Sequence, residues 1–207
     1  MNYKKIAQAV SVFTFLVGVM VMVGWFLNIT VLTSILPHWI RMKMATAVCF
    51  VLTSVILFII VQRSDTKNER RSILMVILPL AVIMIMGTLF LSSVFGFQTG
   101  MENIAFTDVH EISTPIFAGR PSVATMINFI LIATIGFLCN LNRCTKKTYY
   151  SIGAIIASIG TVAVIGYVFN NSYLTYEIPG ISNAIAVHTT ILFVLIGTAL
   201  ILLGKES

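Results

Sequence analysis

Residues 44–62 read MATAVCFVLTSVILFIIVQ, an apolar run without a charged side chain. As a helix rising 1.5 Å per residue, such a run is long enough to cross a hydrocarbon core about 30 Å thick. Five more runs share this character, and the six predicted spans are Ile6–Leu27, Met44–Gln62, Ile73–Phe95, Ser122–Leu141, Tyr150–Asn170 and Ala184–Leu203. The sequence therefore predicts an all-α integral membrane protein, with residues 1–207 forming a single six-helix membrane domain.

The composition excludes an ordinary soluble domain. Of the 207 residues, 58% are hydrophobic and 10% are charged, whereas soluble domains carry about a quarter charged residues. The net charge of +6 does not indicate a nucleic-acid partner, because the basic residues lie in short connections between apolar runs and form no basic face. The expected partners are the lipid bilayer and a protein, either another protein or further copies of this chain.

The distribution of Lys and Arg predicts the orientation. Ten of the thirteen lie at the two termini and in the second and fourth connections, while the first, third and fifth connections hold Arg41, Lys43 and Arg120. Connections rich in Lys and Arg stay in the cytoplasm. We therefore expect a multi-pass protein of the cell membrane with both termini cytoplasmic. The outer connections are also the longer ones, and long loops are often functional.

The even-numbered spans share the pattern T-x-x-x-F-x-L, at residues 46–52, 125–131 and 189–195. The preceding spans each end in Gly plus an aromatic residue, at residues 24–25, 96–97 and 166–167. Self-similarity of this kind is typical of internal repeats, and units with two crossings each share one orientation. The sequence predicts three parallel helical-hairpin repeats at approximately residues 6–62, 73–141 and 150–203.

Five polar residues within the spans are candidate ligand-binding residues. Thr46, Thr125 and Thr189 occupy equivalent positions about one turn inside the outer boundary, where they either contact neighbouring helices or converge on an outward-facing pocket. Asn128 is one turn from Thr125, and we expect it to hydrogen bond between helices. His188 is the histidine within a predicted span, and an ionisable group at that depth is a functional candidate.

Three interpretations of His188 remain open: a neutral imidazole packed near the headgroups, a ligand-contacting or proton-responsive group, and an axial ligand of haem or copper. The last needs a partner, and the remaining histidines, His38 and His110, fall in outer loops. The spans contain no carboxylate and the chain has no phosphate loop, so we expect neither an enzyme nor a bound metal, and the sequence identifies no cofactor. The three cysteines lack the spacing of a zinc or disulfide framework, and we interpret them as packing or incidental thiols.

Several short motifs resemble a known module: Leu32-Thr-Ser-Ile-Leu-Pro37 leading into Thr46 and Phe50, then Gly119-Arg-Pro-Ser122, then Ala186-Val-His188-Thr-Thr-Ile-Leu-Phe193. In these the chain is similar to the multi-pass N-terminal membrane domain of bacterial and archaeal PAS-containing histidine kinases and diguanylate cyclases. The family often has Asn where this chain has Ala45 and Ala124. The resemblance covers nearly the whole chain and implies a sensory input domain, either excised from a longer protein or free-standing.

Three functions follow as hypotheses. The first is a membrane-embedded sensory or ligand-binding module that acts through a partner or a cytoplasmic output domain, with its pocket among the outer ends of the even-numbered helices. The second is an accessory or scaffolding subunit of a membrane enzyme complex. The third is a small haem- or copper-binding electron carrier.

Overall fold

The computed structural model describes residues 3–35, 39–62, 69–100, 119–178 and 182–206. These residues form helices and contain no extended strand, with one isolated bridge between Ile178 and Ser182. The helices are α1 (Tyr3–Phe26), α2 (Thr30–Thr33), α3 (Met44–Val61), α4 (Glu69–Phe95), α5 (Val123–Asn140), α6 (Lys146–Val168) and α7 (Val187–Glu206). All but the short α2 are long and apolar enough to span a membrane. The predicted all-helical class with six spans is confirmed.

The observed helices differ from the predicted spans mainly at their ends. α4 begins at Glu69, about one turn before the predicted start at Ile73, because its first turn is polar and was not counted as membrane. α7 begins at Val187, since residues 184–186 are not helical although they are apolar. Hydrophobicity alone cannot separate a helix from a buried extended segment that leads into it.

Each long helix packs against its neighbour in sequence, so α1 with α3, α4 with α5, and α6 with α7 form three hairpins. The first helix of each hairpin also contacts the second helix of another: α1 with α7, α4 with α3, and α6 with α5. The second helices form the interior, with 56% of their spans buried, against 28% for the first helices. The bundle thus has an inner layer of α3, α5 and α7 and an outer layer of α1, α4 and α6.

Glycines allow the closest helix contact, between α6 and α7. A side chain at Gly197 would place its Cβ 2.5 Å from the backbone nitrogen of Ala157, and one at Gly160 would meet the carbonyl oxygen of Thr190 at 3.0 Å. A larger residue at Gly197 would force the helices apart, and one at Gly160 would require its neighbours on α7 to shift. Small residues at helix contacts are the usual means by which backbones approach each other in lipid.

Four of the long helices are followed by a residue with a left-handed backbone: Asn28 after α1, Gly96 after α4, Asn142 after α5 and Asn170 after α6. Asn and Gly tolerate this conformation best, which explains their use at these ends. Gly96 therefore has the left-handed backbone of Asn28 and Asn170, which Gly24 and Gly166 do not have. The predicted alignment of Gly96 with Gly24 and Gly166 is off by one helical turn, because Gly24 and Gly166 lie in the last turn of α1 and α6.

A disulfide joins Cys139, near the end of α5, to Cys144, just before α6. We had interpreted both as packing or incidental thiols, and that interpretation was wrong for this pair. The turn between the helices is tight, with Asn142 left-handed and the nitrogen of Arg143 bonded to the carbonyl oxygen of Leu138. This turn brings the two Cα atoms to 4.8 Å, within the range that a disulfide requires. Cys49 remains a free, buried thiol.

Candidate ligand pocket at the ends of the inner helices

A pocket lies at the end of the bundle where the three inner helices begin. It has a volume of about 220 Å³ including its open mouth, and its enclosed part has room for about one water molecule. Its walls come from the residues that precede the inner helices and from their first turns. The described lining residues are Ile40, Arg41, Met42, Lys43, Thr46, Arg120, Pro121, Ser122, Thr125, Ala184, Ala186 and Thr189.

Thr46, Thr125 and Thr189 all line this pocket, each as the third residue of its helix. The three are almost fully buried within the protein. The hydroxyl of Thr125 lies 2.7 Å from that of Ser122, whose oxygen caps α5 by accepting the backbone N–H of Thr125. In the described part of the chain, the hydroxyls of Thr46 and Thr189 have no hydrogen-bond partner. Two polar side chains are thus available to a ligand in the pocket.

The three phenylalanines of the shared pattern meet one turn deeper in the bundle. Phe50 lies 4.8 Å from Phe129 and 5.1 Å from Phe193 between ring centroids, and Phe129 and Phe193 are also 5.1 Å apart. All three rings are fully buried. These distances and the tilted ring planes are those that aromatic pairs prefer. The cluster therefore joins the three inner helices directly beneath the pocket.

Positive charge surrounds the threonines. Arg120 is 1% exposed and donates a hydrogen bond of 2.7 Å to the carbonyl oxygen of Phe97, and Lys43 is 5% exposed at the start of α3. Arg41 is half-buried on the same pocket. No acidic side chain occurs among the described lining residues. The described lining of the pocket is therefore basic.

The first and third hairpins hold their pocket loops in the same way. The indole nitrogen of Trp25 donates to the carbonyl oxygen of Met42, and the hydroxyl of Tyr167 donates to that of Ile185, at 2.8 and 2.6 Å. The backbone nitrogen of Met42 also bonds to Thr33, as that of Ile185 bonds to Thr175. In both hairpins, then, the aromatic residue after the last glycine of the outer helix fixes the segment that leads into the inner helix.

Loop residues of the third hairpin pack tightly beneath this segment. A Cβ at Gly166 would lie 2.8 Å from the backbone of Leu174, and the hydroxyl of Tyr176 bonds to the carbonyl oxygen of Ile159 at 3.3 Å. Burial raises the pKa of the Tyr176 phenol above its usual value, so this side chain stays a neutral donor at physiological pH. These contacts therefore hold the loop of the third hairpin against α6, next to the segment that forms the pocket wall.

The remaining two candidates, His188 and Asn128, do not line the pocket. His188 is the second residue of α7 and is half-buried, and its Nδ1 atom is buried without a partner among the described residues. Asn128 is fully buried in α5, and neither atom of its amide has a hydrogen-bond partner there. The hydrogen bond between helices that we expected from Asn128 is absent from the described part of the chain.

Metal or haem binding gains no support from the described residues. They contain no group of three His, Cys, Asp or Glu side chains that could hold a metal ion. His38 and His110, which could have completed a pair with His188, lie outside the described residues.

Sequence reasoning missed two charged residues of the site and the polar residue Ser122. Lys43, Arg120 and Ser122 were not among the candidates, although Lys43 and Ser122 both immediately precede an inner helix. All three basic residues of the predicted outer connections, Arg41 included, line this one pocket, which their separation in the sequence does not indicate. These three residues serve above to predict which side of the membrane each connection faces, and they are not considered there as one group.

Comparisons with protein-family models, with curated proteins and with solved structures find no match to this chain. The resemblance to sensory membrane domains therefore rests on the motifs of the sequence.

Proposed function

We propose that the chain is a membrane-embedded sensory module that binds a ligand in the pocket at the outer ends of its inner helices. The observation that carries this proposal is the position of Thr46, Thr125 and Thr189, which come from three different helices and line one pocket. Packing alone does not require two of these hydroxyls to lack partners. The resemblance to the input domains of histidine kinases and diguanylate cyclases supports the same function.

The arrangement also provides a route for a signal. A ligand that contacts the first turns of α3, α5 and α7 acts on the three helices that the phenylalanine cluster joins. A change in their spacing would reach the opposite ends of the same helices, because a packed core moves between discrete arrangements and does not deform continuously. In the predicted orientation those ends face the cytoplasm, where a partner or an output domain would receive the signal.

We further propose that the three hairpins are repeats of one unit. Hairpins one and three share the aromatic bond to the segment before the inner helix, and all three place Thr third in the inner helix. A repeated unit would give the ligand three equivalent contacts.

Native mass spectrometry of the chain, extracted from membranes with its surrounding lipid, tests the function. We expect the wild type to retain a molecule of discrete mass that Ala184→Leu loses, because a larger side chain at Ala184 fills the pocket. Ala154→Leu is the matched control, since Ala154 lies in α6 away from the pocket. The same set of bound molecules in wild type and Ala184→Leu would contradict the proposal.

The signalling step needs a second measurement. Spin labels at Gln62 and Leu141, both exposed just after α3 and α5, report the distance between the far ends of two inner helices. We expect the distance distribution to differ between wild type and Ala184→Leu if pocket occupancy is transmitted. Identical distributions would leave a binding module without the sensory role.

A further inference from the structure

The disulfide between Cys139 and Cys144 lies at the end of the bundle opposite the pocket. Cys139 is in the last turn of α5, whose first turn lines the pocket, and Cys144 immediately precedes the N-cap residue of α6. In the predicted orientation this turn faces the cytoplasm. Disulfides are rare in that compartment, and those that occur there are usually transient and take part in redox chemistry.

The turn between α5 and α6 is closed without the help of the disulfide. Three backbone N–H groups after α5 each donate to a carbonyl oxygen at the end of that helix, from Leu141 to Phe137, from Asn142 to Cys139 and from Arg143 to Leu138. The side chain of Thr145 caps α6 by accepting the N–H of Thr148. A crosslink stabilises a fold least when it closes a short loop, and these cysteines are five positions apart. A purely structural role therefore explains little of this bond.

The two sulfur atoms differ in their access to solvent. Cys139 is fully buried, whereas Cys144 is partly exposed. Exposed basic residues flank Cys144 in the sequence, with Arg143 before it and Lys146 and Lys147 after it in the first turn of α6. Cationic side chains and a helix N-terminus both stabilise a thiolate, which is the reactive form of a thiol. Cys144 is thus the sulfur that an incoming thiolate reaches.

Each sulfur has a hydrogen-bond partner in the reduced state as well. The Sγ atom of Cys139 lies 2.9 Å from the hydroxyl of Tyr149, and the Sγ atom of Cys144 lies 3.6 Å from the carbonyl oxygen of Ile135. A disulfide sulfur carries no hydrogen, so the Tyr149 hydroxyl is the donor while the bond is closed. After reduction the same hydroxyl can donate to a Cys139 thiolate, and the Cys144 thiol can donate to Ile135. The site therefore suits both states.

We propose that Cys139 and Cys144 are a reversible redox pair, which a dithiol reductant opens and an external disulfide closes. A thiolate of the reductant attacks the Sγ atom of Cys144, so that a mixed disulfide forms and the bond to Cys139 breaks. The electron pair of that bond leaves on Cys139 as a thiolate, and the hydroxyl of Tyr149 stabilises this thiolate until it takes a proton.

The second half of the reaction releases the reductant. Its other thiolate attacks its own sulfur in the mixed disulfide, and Cys144 leaves as a thiolate that takes the second proton. The reductant departs as a disulfide, having given two electrons and two protons to the pair. The same steps in reverse, with an external disulfide as the oxidant, close the bond again. The inference does not depend on the ligand proposed for the pocket.

Differential alkylation of the full chain in cells tests the proposal. Cells are quenched in acid, free thiols are blocked with N-ethylmaleimide under denaturing conditions, and disulfides are then reduced and labelled with its heavy form. We expect the ratio of oxidised to reduced Cys139 and Cys144 to differ by about tenfold or more between cells treated with diamide and with dithiothreitol. Cys49 is the internal control, because this buried free thiol should stay reduced in both.

Variants of the purified chain test the route of attack. We expect Cys139→Ser to form a mixed disulfide with glutathione disulfide through Cys144, and Cys144→Ser to form none, because Cys139 is buried. Tyr149→Phe should slow reduction of the pair by dithiothreitol about tenfold, the effect of losing one hydrogen bond to a charged group. Tyr150→Phe is the matched control, since Tyr150 is 55% exposed and its loss should leave the rate unchanged.

Two results in cells would overturn the proposal. A pair that stays oxidised in dithiothreitol is a structural disulfide, and a pair that stays reduced in diamide consists of two packing thiols. A mixed disulfide that forms as readily in Cys144→Ser as in Cys139→Ser would contradict attack at Cys144. Equal rates of reduction in wild type and Tyr149→Phe would contradict the part assigned to the Tyr149 hydroxyl.

Discussion

The indole nitrogen of Trp25 lies 2.8 Å from the carbonyl oxygen of Met42, a hydrogen bond that ties the end of α1 to the segment before α3. Tyr167 makes the corresponding bond to Ile185 in the third hairpin, at 2.6 Å. Met42 lines the pocket, and Ile185 lies between the lining residues Ala184 and Ala186. These two bonds therefore hold the backbone of two pocket walls.

Removing either bond should loosen the pocket wall. We expect Tyr167→Phe, which keeps the ring, to lower the free energy of unfolding by about 1 kcal/mol, the usual net value of one hydrogen bond. Trp25→Phe should lower it by more, because Trp25 is buried and the variant also loses part of its ring. Unfolding in mixed detergent micelles measures the effect. Tyr150→Phe is the control, because Tyr150 is 55% exposed on α6. A loss confined to Trp25→Phe would show that the two hairpins do not use the bond equivalently.

The phenylalanine cluster should contribute more than any single polar contact. Phe129→Ala removes a ring that contacts both Phe50 and Phe193, and the inner helices cannot collapse onto the space without losing other contacts. We expect a loss of about 3 kcal/mol in the free energy of unfolding. Phe95→Ala, at a ring 71% exposed toward lipid, should cost well under 1 kcal/mol by comparison. Equal losses would mean that the cluster is not a stabilising centre.

Part of this architecture could be predicted from sequence because it depends on pattern. Six uninterrupted apolar runs fix the number of spans, and the T-x-x-x-F-x-L pattern contains Phe50, Phe129 and Phe193, whose rings meet between the inner helices. The alignment of Gly96 failed because glycine serves two purposes here, close packing at Gly166 and a left-handed turn at Gly96. Residue identity alone does not distinguish them.

The charged part of the site and the disulfide could not be predicted, since both depend on how separate segments meet. Lys43 and Arg120 lie far apart in sequence and share a pocket because α3 and α5 are neighbours in the inner layer. Likewise, the pairing of Cys139 with Cys144 depends on a turn whose backbone the spacing does not specify.

The orientation of the bundle is a prediction from the basic residues and can be tested at described positions. In a variant without the three native cysteines, a cysteine at Tyr173, which is 80% exposed beside the pocket end, should react with an impermeant thiol reagent from outside the cell. A cysteine at Leu141, 62% exposed at the opposite end, should react after permeabilisation. The reverse pattern would place the pocket in the cytoplasm and remove the route proposed for the signal.

Substitution of Asn128 tests whether a buried polar residue of α5 has a role in function. Its side chain is fully buried beside Phe129, and neither amide atom has a partner among the described residues. Such a group costs about 1–3 kcal/mol, so an apolar residue of similar size should relieve that cost. We expect Asn128→Leu to raise the free energy of unfolding, measured in the same micelles.

The outcome also separates two roles for Asn128. Thr125, one turn away on α5, lines the pocket, so water that enters from the pocket could reach the amide. If the amide holds such water as part of the ligand site, Asn128→Leu should stabilise the chain and weaken retention of the bound molecule. If stability falls instead, as for Phe129→Ala, then the amide has a partner outside the described residues and serves packing.

Asn128→Asp is the companion variant, because it keeps the volume and adds a charge that a buried site without a cation would not tolerate. If the amide is buried without a hydrogen-bond partner, Asn128→Asp should lose much stability and Asn128→Leu should gain stability.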